Sequence, residues 1–162
     1  MTMSNTAVDL DALVAECLAT LADEAGPEAP PENTTMRERF FELLVLILGN
    51  LYGKTPVASA LFDRATLSRI TAGMDDGDAG KLALRTEDWM RLEGLLRQQD
   101  GQKAYFLTRP SLAVLSTLTA AGTLGEVFDG FLGRYVQTPP SDNIRAATRK
   151  LGSYFLMRLG RS

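Results

Sequence analysis

From Phe40 to Leu48 the chain is apolar at every position except Glu42. A helix that is apolar nearly all round has no face to give to water, so this segment has to lie at the centre of a domain or in an interface between chains. It has about half the length needed to cross a bilayer. A chain organised around such a helix must cover it on every side, and the rest of the sequence is read for the covering layers. Thr35 and Glu38 form a capping box at its start, in which hydroxyl and carboxylate each satisfy a backbone N–H that the first turn leaves free. Gly53 is placed to stop it after Tyr52.

The covering elements read mostly as helices. Between Val8 and Ala22 the residues Leu10, Leu13, Val14, Cys17, Leu18 and Leu21 fall on one helical face. Gly26, Pro27, Pro30 and Pro31 then end the helix and predict a semi-extended linker. This divides the chain into an acidic amphipathic leader helix (1–25), a Pro-rich linker (26–34) and a helical domain (35–162). Thr55 followed by Pro56 predicts one short helix, and Asp63 as N-cap predicts another over Arg64–Ala72, with Gly73 as its stop. Met74–Gly80 reads as an acidic solvated turn. Its aspartates lack the alternate-residue spacing and the distant Glu of a calcium loop. Lys81–Arg85 reads as a short strand and Thr86–Arg97 as a half-buried helix carrying Trp89, Leu92, Leu95 and Leu96.

Asp100-Gly101 before Ala104-Tyr105-Phe106-Leu107 is a two-residue hairpin signal. A helix over Ser111–Ala121 follows, and the capping box of Thr123 and Glu126 opens another whose apolar residues run from Leu124 to Val136. The pairs Gly122/Gly125 and Gly130/Gly133 read as a helix stop and as positions of close packing. Pro139 and Pro140 break the chain before a last helix from Asp142 to Leu159, with Arg145, Arg149 and Lys150 off its apolar stripe. The fold class expected is mainly α: a helical domain with one small β-hairpin and a detached N-terminal amphipathic helix.

The chain's 162 residues contain no His and a single Cys. Serine and cysteine nucleophile systems that rely on imidazole, and zinc sites that use it, are therefore excluded. No phosphate-binding loop, dinucleotide fingerprint or paired-carboxylate motif occurs, so no catalytic residue, metal or cofactor is expected and the chain reads as non-enzymatic. Cys17 lies on the leader stripe and reads as a small core hydrophobe. Residues 1–35 carry seven acids and no base, a charge of −7, against +4 for residues 36–162. Such a leader either serves solubility or covers a basic face. It lacks the basic residues of a targeting segment, so a cytoplasmic location is expected and a membrane partner is not.

The segment Phe62–Gly73 resembles the recognition helix of helix-turn-helix regulators, which implies that Arg64, Thr66, Ser68 and Arg69 meet bases and phosphates while Leu67 and Ile70 anchor the helix. A second resemblance competes with it. The helix from Thr86, the Asp100-Gly101 turn, the strand Tyr105-Phe106-Leu107-Thr108 and the helix from Ser111 are similar to the final helix, wing and following helix of winged-helix domains. That likeness implies that Arg97, Lys103 and Arg109 surround the wing and could meet a phosphate backbone, or that the scaffold serves protein contacts instead. The function expected is a non-enzymatic interaction module that associates through apolar helix faces, as a homodimer or as a subunit or adaptor of a larger complex. Leu10, Leu13, Val14 and Leu18 of the leader and Phe40, Phe41, Leu44 and Leu48 of the central helix are the interface candidates. The alternative is a DNA-binding transcriptional regulator that reads DNA with the 63–73 helix.

Overall fold

The computed structural model describes residues 2–22 and 35–160. Among these it forms α1 (Thr2–Ala22), α2 (Met36–Lys54), α3 (Arg64–Ile70), α4 (Asp76–Leu92), β1 (Leu96–Gln98), β2 (Tyr105–Leu107), α5 (Arg109–Leu115), β3 (Leu118–Thr119), β4 (Gly122–Thr123), α6 (Leu124–Gln137) and α7 (Asp142–Leu159). The protein is mainly α with two small antiparallel hairpins, β1–β2 and β3–β4.

α2 is the central helix that its apolar run demands. Leu43 to Leu48 are all fully buried, enclosed chiefly by α6 and α7. The approach of α6 is closer than side chains normally permit. A Cβ on Gly49 would lie 2.7 Å from the Phe128 carbonyl carbon, and one on Gly125 would lie 2.4 Å from the Tyr52 ring. The Tyr52 hydroxyl donates to Thr123 Oγ1 at 3.0 Å, tying the end of α2 to the start of α6.

Both capping boxes form. The backbone N–H of Thr35 donates to Glu38 Oε1 at 2.9 Å and that of Thr123 to Glu126 Oε1 at 2.8 Å, while each threonine hydroxyl accepts from the glutamate's own N–H. These backbone N–H bonds hold both carboxyls below the usual glutamate range. A lowered folded pKa contributes stability that is present above the unfolded value and lost as pH falls through the folded one. The thermal midpoint of the wild type should therefore exceed that of Glu126→Ala at neutral pH, and the gap should shrink below about pH 4. A gap that widens in acid would contradict the capping role.

The leader helix is not detached. α1 starts at Thr2 and lies along α7, which buries Leu10, Val14 and Cys17. The Cys17 thiol donates to the Ala147 carbonyl at 3.7 Å, and burial pushes its pKa up to about 11. Lys150 Nζ donates to Glu16 at 2.6 Å, and the Ala120 N–H donates to Asp11 Oδ1 at 3.3 Å. The stripe is covered because a lone helix of this length is marginal in water and α7 offers it an apolar face. The Pro-rich linker, 26–34, falls outside the described residues.

Five local expectations are corrected. No helix follows Pro56; the chain turns, the Val57 N–H donating to the Lys54 carbonyl at 2.9 Å, and Ser59 then exchanges two backbone hydrogen bonds with Tyr105, at 3.0 and 2.8 Å. Asp75 is the N-cap of α4, its carboxylate accepting from the Asp78 N–H at 2.8 Å, so the acidic turn is the start of a helix. That helix runs through Lys81–Arg85, in place of the expected strand, and ends at Leu92. Thr86, the expected start, is buried in mid-helix with its hydroxyl donating to the Leu82 carbonyl at 2.7 Å. The helix expected over Ser111–Ala121 stops at Leu115, and β3–β4 turns through Ala120-Ala121, with Gly122 opening β4 at φ +109°.

Candidate functional site

Two groups of side chains distinguish themselves, one largely buried and one open. The buried group is centred on Glu42, the single break in the apolar run. Its Oε1 accepts from the Tyr135 hydroxyl at 2.7 Å and from Arg145 Nη1 at 3.0 Å, and its Oε2 accepts from Arg149 Nη1 at 3.3 Å. Burial drives the Glu42 carboxyl up, against the opposing pull of Arg145, and burial likewise raises the Tyr135 phenol. Arg145 Nη2 also donates to the Arg69 carbonyl at 3.0 Å, and Arg39 Nη1 donates to the carbonyls of Ile70 and Ala72 at 3.0 and 2.8 Å. Two guanidiniums from α2 and α7 thereby satisfy the carbonyls that the end of α3 leaves free. Glu42, Tyr135, Arg39 and Arg145 are each 3% exposed or less, so this cluster joins α2, α3, α6 and α7 as a buried structural network that reaches the surface through the half-buried Arg149.

The open group lies between the first turns of α2 and the outward face of α4. It is a groove of about 600 Å³ lined by Met36, Arg37 and Phe40 from α2 and by Asp78, Lys81, Leu82, Arg85, Thr86 and Trp89 from α4. The capping box fixes where α2 begins and the Asp75 cap fixes where α4 begins, so two local signals set the walls. Phe40 and Trp89 meet edge to face at a centroid distance of 5.3 Å, and Phe40 meets Phe41 at 5.5 Å. Arg37 stands over the Phe41 ring at 5.8 Å. Lys81, Arg85, Trp89 and Leu92 follow one another at helical spacing along α4. Leu92 is 84% exposed and Met36 43%.

The residues singled out from sequence are scattered. On α3, Arg64 and Ser68 are exposed, but Thr66 is 1% exposed and cannot reach a base edge. Arg69 Nε donates to the Tyr135 carbonyl at 3.2 Å, which ties it to α6. The cause in both cases is that α3 packs against α6 and α2. Arg97 on β1 stacks over Phe106 at 4.8 Å, and Lys103 and Arg109 are exposed at the hairpin turn and at the start of α5. Of the interface candidates, Leu44 and Leu48 are fully buried by the chain's own helices and Leu10 and Val14 lie against α7, so none of these four is open to a partner. Leu13, Leu18, Phe40 and Phe41 are half-buried, and only Phe40 belongs to the groove.

Sequence reasoning does not single out Met36, Arg37, Lys81 or Arg85, because a strand over 81–85 and a helix starting at Thr86 would break the stripe they share. The signal that finds them is Asp75 as a cap, followed by Leu82, Thr86, Trp89 and Met90 at unbroken helical spacing. Among the described residues no cluster of acidic or cysteine side chains is placed to hold a metal ion, and no helix is long and apolar enough to cross a membrane. Comparison of the chain with protein-family models, curated proteins and solved structures gives no match.

Proposed function

We propose that this protein is a non-enzymatic, winged-helix-like interaction module that binds a protein partner, either a second copy or another subunit, across the outward face of α4. The observation that carries this reading is the α2–α4 groove. Its aromatic floor and the exposed Leu92 and Met36 form an apolar surface of the kind that marks protein interfaces. The winged-helix likeness is supported by the element order of α2, the Ser59 bridge, α3, α4 and then the β1–β2 hairpin, in which α4 takes the place of the recognition helix.

The charge of α4 weighs toward protein and against DNA. Asp76, Asp78, Glu87 and Asp88 oppose Lys81, Arg85 and Arg91, so a phosphate backbone would release few counterions on meeting it. The DNA-binding alternative draws on Arg64, Ser68, Arg97, Lys103 and Arg109, which are exposed.

Site-specific photocrosslinking separates the two readings. A photoreactive residue in place of Leu92 should give a covalent protein adduct in cells that make the chain, and the same residue at Lys103 should give none. Nucleic-acid adducts at Lys103 with none at Leu92 would overturn the reading. So would tight binding to random duplex DNA that falls steeply with salt.

A further inference from the structure

We infer that the α2–α4 groove is built for a short acidic peptide segment carrying one bulky apolar anchor. This rests on the reading of α4 as a protein-binding face. Three cations rim an apolar floor. Arg37 is held over Phe41, whereas Lys81 and Arg85 are exposed and have no ion pair or hydrogen bond among the described residues. Among the described residues Asp78 is the one acid that lines the groove, which gives their side chains a surplus of two positive charges.

Chemistry and shape both select the occupant. An apolar segment without charge would leave the cations facing an interface with nothing to complement them, and a basic one would be repelled. Carboxylates beside an aromatic or large aliphatic anchor satisfy floor and rim together. The anchor would stand against Phe40 and Trp89, with Met36 on its flank, and the carboxylates would meet Arg37, Lys81 and Arg85. Guanidinium groups are suited to this role because they hold carboxylates in a two-pronged geometry. The stripe from Lys81 to Leu92 extends for about 16 Å at 1.5 Å per helical residue. That length suits a segment of three helical turns or about five extended residues. The groove volume of about 600 Å³ admits one or two large side chains, with the remainder of the segment on the surface.

The experiment is a selection from a random twelve-residue peptide library against the full-length protein, followed by synthesis of the recovered peptides. Trp89 is the chain's single tryptophan and sits in the groove, so its emission reports occupancy directly. Recovered peptides should be net acidic, carry a Phe, Trp, Leu or Met anchor, and shift the Trp89 emission. Their affinity should fall at least tenfold in Lys81→Glu/Arg85→Glu and several-fold when salt is raised from 0.05 to 0.5 M, since exposed charges are screened over a shorter distance. The milder Lys81→Gln/Arg85→Gln guards against a folding defect: both positions are exposed, so its thermal midpoint should match the wild type while its affinity for acidic peptides still drops.

Neutral or basic peptides that move the Trp89 emission equally well would overturn the acidic specificity and leave the protein-binding face standing. Acidic peptides that bind without moving Trp89, or no enrichment at all, would overturn the site. The crosslinking at Leu92 judges the broader reading separately.

Discussion

Glu42→Ala should cost about 3–5 kcal/mol of folding stability, because it leaves buried guanidinium charge without a counter-charge. In a chain of this size that lowers the thermal midpoint by roughly 6 to 20 °C. The carboxylate is fully buried and accepts from Tyr135, Arg145 and Arg149, which come from two other helices. Removing it strands Arg145, which is 3% exposed, and leaves the Tyr135 hydroxyl without its acceptor. Arg145→Met should also destabilise, and the double variant should cost less than the sum of the two single changes by about 1–3 kcal/mol, since the second loss removes the stranded charge created by the first. Urea unfolding of the four proteins measures this cycle. A Glu42→Ala loss below about 1 kcal/mol, the range of an exposed ion pair, would show that the cluster does not bear on stability.

A second pair of variants separates helix propensity from packing. In an exposed helix Gly→Ala is favourable by about 1 kcal/mol. Gly130→Ala, on α6, should show that gain, because the new methyl would have no neighbour within 4 Å. Gly49→Ala should reverse the sign and lose about 1–3 kcal/mol, the usual cost of overpacking. Its methyl would sit 2.7–2.8 Å from backbone atoms of Phe128 and Asp129, and backbone in a packed helix has no rotamer by which to yield. Equal stabilisation by both changes, read from thermal midpoints, would mean that α2 and α6 are free to separate.

What can be read from the sequence is what is encoded locally. The capping boxes of Thr35/Glu38 and Thr123/Glu126, the Asp63 cap and the break at Pro139-Pro140 each lie within four residues of the structure they specify. The run from Phe40 to Leu48, apolar except at Glu42, places α2 at the centre for the same reason. Sequence and structure part where a local signal supports two outcomes. Asp75-Asp76-Gly77-Asp78 has the composition of a turn and also caps a helix, and the cap prevails because Leu82 and Met90 beyond it are buried on one face. Thr55-Pro56 has the form of a helix start, yet Ser59 beyond it pairs with Tyr105, a partner no window around it contains. Arg145 stands off the apolar stripe of its own helix and has the pattern of a surface cation; its partner Glu42 lies 103 residues away. The groove is illegible for a related reason, since Lys81 and Arg85 share a wall with Trp89 only if one helix carries all three.

The two guanidiniums at the end of α3 give that helix an unusual dependence. Seven residues are too few to persist alone in water. Its first turn is held by its own Asp63, but its last carbonyls are held by residues of α2 and α7. α3 is thus completed from outside, and part of the information that makes Arg64–Ile70 helical is written at positions 39 and 145. A change at either position would be felt as the loss of a helix to which neither residue belongs.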